Sequence, residues 1–379
     1  MTSLRPDPCS LSSFGPLLFA LTLAVSPAPA AEPPEPQPAH HASGVLLEAL
    51  RSDRGPGVQA AVLVDGKIVW SEALGLADLE ASVAMERGTR LRIGSVSKVF
   101  TAALAAHWIA EGRLDPDSVV HQVLPTFPSS PAIPIHTLAN HTSGIRHYDF
   151  SNLAEANNTH RYDHLADALA LFQGDPLLHE PGSAFHYSSF GFNLLGVVVE
   201  AVSGEPFLDG LERRLLHPLE LDGTGGDRPW AVIPERGRFY TVTADGVVIN
   251  TLWRDSSDYY PSGGLLSTAE DLVHLAWESF EPSEEGLLAG RPRDLLSTPT
   301  TLADGTALPY TFGWQHGTTA DGSPYFGHGG LTNGATAEVR FYPRQRLAVA
   351  VIANYNFWFE GTPAVITSAD SIAALFDPP

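Results

Sequence analysis

Cysteine is almost missing from this chain. Cys9 is the only one in 379 residues, so no disulfide forms within the chain and no thiol nucleophile lies beyond residue 9. Lysine is nearly as scarce: of the 22 Lys and Arg residues, only Lys67 and Lys98 are lysine. Acids outnumber bases, and the formal net charge of −21 argues against nucleic acid or an anionic membrane surface as a partner. No apolar run approaches the ~20 residues of a membrane-spanning helix. No His-Glu-x-x-His occurs, and His136, His141 and His147 lack helical ligand spacing. A metal hydrolase is therefore not expected, and no cofactor is implied. Gly-x-Ser-x-Gly is also missing, which argues against an α/β-hydrolase.

What remains is a globular composition, 44% hydrophobic and 17% charged, with ample material for a core. Residues 14–25 are mostly apolar and lead into Ser26-Pro27-Ala28-Pro29-Ala30-Ala31. A short hydrophobic segment followed by an Ala-x-Ala site is the pattern of a secretory signal peptide, here 1–30. The protein is accordingly expected to be secreted or periplasmic. Residues 31–43 are proline-rich over most of their length and are expected to form an extended linker.

Residues 58–64 and 67–74 flank Asp65-Gly66 and predict a hairpin with a type I′ turn. The apolar stretch 192–202, stopped by Gly204, predicts a helix. Residues 165–172 predict a shorter helical stretch, and 238–250 a small hairpin around Asp245-Gly246. Ser267-Thr268-Ala269-Glu270 has the spacing of a capping box. Residues 337–342 and 347–354 are β-rich, and 367–376 predict a closing helix. Strands at both ends with helices between them predict one sheet built from distant segments, carrying an inserted helical lobe.

The pattern Ser95-Val96-Ser97-Lys98 opens a further predicted helix that stops at Gly112. Residues three apart share a helix face, so Ser95 and Lys98 lie side by side on the first turn. A hydroxyl is a weak nucleophile until a base takes its proton, and a desolvated lysine is such a base. Arginine cannot take that role because it stays protonated. In a chain that has replaced almost every lysine, Lys98 is the candidate base. Two later stretches could assist. Pro181-Gly182-Ser183-Ala184-Phe185-His186-Tyr187-Ser188-Ser189 places a phenol just ahead of a helix, and a phenol passes protons when a nearby cation lowers its pKa. Gly327-His328-Gly329-Gly330-Leu331 precedes a strand; its glycines leave backbone N–H groups open to an oxyanion.

In their order and wide spacing, these three elements resemble the serine β-lactamase and penicillin-binding-protein superfamily, in its class C-like branch. Leu138-Ala139-Asn140-His141-Thr142-Ser143-Gly144-Ile145 and Pro261-Ser262-Gly263-Gly264-Leu265-Leu266-Ser267-Thr268 add to the likeness. Ile145-Arg146-His147-Tyr148 is similar to the mitochondrial serine β-lactamase-like proteins of animals and their bacterial relatives. The resemblance implies an α/β (α+β) fold of that type, with a catalytic domain over 44–379. Its α/β lobe would cover about 44–90 and 260–379, and its helical lobe about 91–259. It implies an acyl-enzyme on Ser95, with Lys98 and Tyr187 sharing the proton work. Ser95 and Leu331 would supply oxyanion N–H groups. Ser189, His328, Gly329 and Gly330 would line the substrate side, with His328 assisting Tyr187 or binding substrate, and His141 would be a support beneath the site. A small molecule or short peptide is the implied partner. Ser189 stands where asparagine is usual and Gly329 where Thr or Ser is common. Both lose polar contacts, which favours esters or short peptides over β-lactams. The alternative is a catalytically weak penicillin-recognising or scaffold protein of the same fold.

Overall fold

In the computed structural model the described residues are 38–128, 130–281, 285–320, 322–357 and 361–377, without the side chains of 153 and 154. The expected signal peptide lies outside them. Part of the expected linker does not: helix α1 (Pro38–Asp53) covers residues 38–43. It is a core helix, with Ala42, Leu46, Ala49 and Leu50 buried. Proline at its first position suits a helix start, where its missing N–H costs nothing.

The chain then forms strands β1 (Gly57–Val64), β2 (Lys67–Asp78) and β3 (Val83–Ala84). Asp65 and Gly66 have φ of 48° and 77°, as the type I′ turn requires. Strands β4 (Gln315–Thr318), β5 (Pro324–Thr332), β6 (Ala335–Tyr342) and β7 (Leu347–Ala353) come from the other end of the chain. Together they make one seven-stranded sheet in the order β3-β2-β1-β7-β6-β5-β4. All its pairings are antiparallel, and β1 meets β7 from Val58↔Ala353 to Val64↔Leu347.

Both central strands are buried on both faces, and alternate residues serve different layers. Val58, Ala60, Val62, Val349 and Val351 pack with α1 and with α5 (Ala364–Leu375). Ala61, Leu63, Ala348, Ala350 and Ile352 join the larger core on the other side. There α4 (Ala269–Phe280) covers the sheet. The residue that caps α4 is Thr268, whose Oγ1 accepts the Asp271 N–H at 3.2 Å. The helix is therefore capped one residue later than the sequence spacing predicts, by this single bond rather than by a capping box. Ser267 instead ends a short strand (Leu265–Ser267).

Along the chain, between the segments that form the two halves of the sheet, come α2 (Ser97–Ala110), α3 (Ser189–Ser203) and several shorter helical pieces. The stretch Leu165–Leu171 forms a 3-10 helix. Almost all of α2 is buried, not only one face, so it is the central helix of this region. Gly204 ends α3 in a left-handed conformation at φ 75°, which glycine adopts without a Cβ penalty. A small sheet pairs Leu91 and Arg92 with Ser267 and Leu266. That pairing lays the segment 261–265 along the start of α2.

Candidate active site

Ser95 sits in a 3-10 turn, Gly94–Val96, directly ahead of α2. Gly94 has φ 50°. A Cβ there would lie 2.8 Å from Leu331 N and 2.9 Å from Leu331 O, so this left-handed turn presses on the backbone of β5. Gly330 makes the reciprocal approach to Ile93. The two glycines bring the Leu331 main chain against the Ser95 turn. Arg92 ties the same parts together from below: its Nε donates to Asp227 Oδ2 at 2.6 Å and its Nη1 to the Asn333 carbonyl at 2.9 Å.

Lys98 is completely buried. Its Nζ lies 3.1 Å from Ser95 Oγ, 3.0 Å from Ser189 Oγ and 2.7 Å from the Ser262 carbonyl oxygen. Thr101 fastens the same loop by donating to the Pro261 carbonyl at 2.7 Å. No carboxylate meets the amine, and burial holds its pKa well below the usual lysine value. A neutral amine has two N–H donors and one lone pair. The carbonyl of Ser262 only accepts, and Ser189 Oγ can accept as well. The lone pair is then left for the Ser95 hydroxyl.

Tyr187 lies with its ring centroid 5.0 Å from Lys98 Nζ. Burial raises the phenol pKa above its ordinary value, and a hydrogen bond with Ser95 opposes this in part. The lowered pKa expected from a neighbouring cation is not found. The reason is the burial of the phenol itself, which disfavours the phenolate. Tyr187 is held by what surrounds it. Ser188 caps α3, accepting the Gly191 N–H at 3.0 Å and donating to the Arg146 carbonyl at 2.7 Å. The Ser188 N–H donates to His141 Nδ1 at 3.1 Å. His141 is buried, has φ 62°, and its ring lies 4.3 Å from that of Tyr187. It stands beneath the site as a support.

His328 takes a different place from the one expected. It is buried, and its Nε2 pairs with the Tyr310 hydroxyl at 2.7 Å. Its Nδ1 meets the Gly329 carbonyl at 2.7 Å and so carries the proton. Its ring centroid is 6.4 Å from that of Tyr187. The imidazole is thus a link between β5 and Tyr310, outside the cleft. Burial pulls its pKa down to about 3. At Gly329 a Cβ would come 3.0 Å from Glu338 Oε2; a larger residue would press on that carboxylate, which Arg340 binds at 2.8 Å.

The cleft beside Ser95 holds about 90 Å³ and is lined by Ser189, His147, Phe150, Leu331 and Asn333 among others. Arg254, ion-paired with buried Asp258 at 2.8 Å, forms part of its wall. Ser262, His147, Arg254 and Tyr310 carry little signal as single residues in the sequence. Pro261-Ser262-Gly263-Gly264 was visible only as a stretch, because its contribution is a main-chain carbonyl. Among the described residues no cluster of potential metal ligands occurs. A larger concavity of about 750 Å³, walled by Glu72, Arg87, Glu235 and Asp271, does not include Ser95.

A serine hydroxyl facing a buried amine, on this sheet with its inserted helical lobe, defines a hydrolase scaffold for acyl transfer of the β-lactamase and penicillin-binding-protein type. The chain belongs to the beta-lactamase family: the family profile described as "Beta-lactamase" matches residues 44–373. It is similar to the human protein named serine beta-lactamase-like protein LACTB, mitochondrial. The two are 31% identical over 320 residues, covering 66% of this chain and 58% of that protein. It is also 30% identical over 305 residues to a D-aminopeptidase of Brucella anthropi, covering 80% of this chain and 56% of that one. The chain thus spans less than two thirds of the length of these curated relatives. Among solved structures, a D-stereospecific amidohydrolase from Streptomyces superposes with a TM-score of 0.71 at 25% identity. That match covers 87% of this chain and 98% of the other.

Proposed function

We propose that the protein is a secreted serine hydrolase that works through an acyl-enzyme on Ser95. The observation that carries this reading is Lys98: fully buried, with its charged form disfavoured by that burial, 3.1 Å from Ser95 Oγ, and held by Ser189 and Ser262. Lys98 takes the Ser95 proton as Oγ bonds to the substrate carbonyl carbon. The oxyanion receives the N–H groups of Ser95 and Leu331. As the carbon–leaving-group bond breaks, Tyr187 relays a proton to the departing amine or alkoxide. Water then attacks the ester carbonyl, and Ser95 recovers its proton. Small esters and short peptides are the preferred substrates over cephalosporins, since Ser189 and Gly329 do not offer the amide and hydroxyl that usually hold a β-lactam.

The test is covalent labelling of the full chain with a fluorophosphonate, followed by intact mass and peptide mapping. One adduct on Ser95, lost in Ser95→Ala, supports the reading. An unlabelled, folded wild-type protein would make it a non-catalytic member of the fold. Efficient nitrocefin hydrolysis without esterase or peptidase activity would overturn the substrate preference.

A further inference from the structure

The cleft contains a hydrogen-bond donor that the proton-handling groups leave unused. His147 lines it together with Ser95 and Ser189. His147 Nδ1 accepts the Ser189 backbone N–H at 3.2 Å. A backbone amide only donates, so Nδ1 carries the lone pair and the neutral ring has its proton on Nε2. Nε2 has no hydrogen-bond partner among the described residues. The ring is held edge-on, 5.4 Å from that of Tyr187 and 5.3 Å from that of Phe150. Burial pulls its pKa down to about 4, against a smaller opposing effect of Glu155. The ring is therefore neutral at working pH.

The acids of the cleft are already occupied. Glu155 is the only acid among its lining residues. Its Oε1 receives Arg146 Nη2 at 2.9 Å, and its Oε2 receives Arg146 Nη1 at 3.0 Å and the Asp149 N–H at 2.7 Å. Asp258, behind the wall, is fully buried and paired with Arg254. An ammonium group entering the cleft would be desolvated without a free counter-charge, which is costly. The mouth is apolar on two sides, with Phe150 68% and Leu331 65% exposed. Ser189 Oγ is engaged by Lys98 at 3.0 Å and is short, so the amide contact that an asparagine would make there is vacant.

We infer that His147 supplies this contact, its Nε2–H donating to an amide carbonyl on the acyl side of the substrate, and that the substrate class is an N-acylated, apolar amino-acid derivative or an internal peptide segment without a free α-amine. This rests on the proposed acyl-enzyme at Ser95.

Three p-nitrophenyl esters sharing one side chain test it on the full chain: N-acetylphenylalanine, phenylalanine with its free amine, and 3-phenylpropionate, the first two in both D and L forms. The N-acetyl ester should exceed the free-amine ester at least tenfold in kcat/KM in the better-used stereochemical series. His147→Asn keeps an acceptor for the Ser189 N–H but offers nothing at the Nε2 position. It should lower kcat/KM for the N-acetyl ester at least tenfold more than for 3-phenylpropionate. His147→Gln, which returns an N–H₂ near that position, should recover part of the difference. A free-amine ester used equally well or better, or equal losses on both esters in His147→Asn, would overturn the inference while Ser95 still labels. Loss of all ester turnover together with failure of Ser95 to label would instead overturn the hydrolase reading beneath it.

Discussion

Gly330 passes so close to Ile93 that a Cβ on it would lie 2.0 Å from the Ile93 carbonyl oxygen. Both partners are backbone, so no side-chain rotation can relieve such a contact. This approach, with that of Gly94 to Leu331, sets the distance between the turn that carries Ser95 and the strand that carries Leu331. Glycine is required at 330 for space, whatever its conformation.

Gly330→Ala should therefore move β5 away from the Ser95 turn. Overpacking of this kind costs about 1–3 kcal/mol of stability. Displacing one oxyanion donor costs about 10²–10³-fold in rate. A fluorophosphonate labelling rate reduced at least a hundredfold, in a protein that still melts cooperatively, is the expected outcome. Normal labelling would show that Leu331 does not serve Ser95.

Lys98→Arg should abolish acylation although the formal charge is kept. Arginine stays protonated, so the base is lost, and removing a general base costs about 10²–10⁴-fold, roughly 3–5.5 kcal/mol of barrier. Lys67 is exposed at the start of β2, and Lys67→Arg should label at the wild-type rate. Circular dichroism and melting report whether the larger guanidinium has disturbed the fold. A well-folded Lys98→Arg protein that labels normally would place the base elsewhere, with Tyr187 next in line.

His328 predicts an acid-sensitive fold. Its folded pKa, about 3, lies below its value of about 6.5 in an unfolded chain. Between these values the unfolded chain takes up a proton and the folded one does not. The contribution is complete above about pH 6.5 and is lost as pH falls toward about 3, by at most about 1.4 kcal/mol per pH unit. His141, also held below its ordinary pKa by burial, pushes in the same direction. Urea unfolding between pH 7 and 4.5 should show a shallower fall in stability for His328→Gln than for wild type. Equal slopes would mean that His328 does not contribute.

The apolar run 14–25 ahead of Ala28-Pro29-Ala30 predicts export with cleavage. Protein isolated from its native host should begin near Ala31. A mass that retains Phe14 would rule this out.

The strongest parts of the fold were legible because they follow from local rules. Asp65-Gly66 between apolar runs forms the type I′ hairpin, and Gly204 stops α3. Helix α1 was missed because proline dominates residues 31–39, yet Pro38 occupies the one place where a helix accepts it. The cap of α4 was read one residue early, since Ser267 and Thr268 both suit the role and only strand pairing decides between them.

The sequence by itself determined the pairing of Ser95 with Lys98, because three-residue spacing on a first turn places two side chains together in any helix. It also singled out Lys98 as a possible base, through the near-absence of lysine elsewhere. The protonation of the site was decided only by tertiary structure. Burial from all sides disfavours the Lys98 charge, and burial of the Tyr187 phenol raises its pKa instead of lowering it. The Ser262 carbonyl that anchors the amine is a main-chain atom, carried in by strand pairing with Leu91 and Arg92. His328, expected to assist Tyr187 or bind substrate, is turned inward to Tyr310 by the same packing. His147 faces the cleft because the Ser189 N–H claims its other nitrogen. Each of these depends on contacts between segments tens to hundreds of residues apart, and no local pattern encodes them.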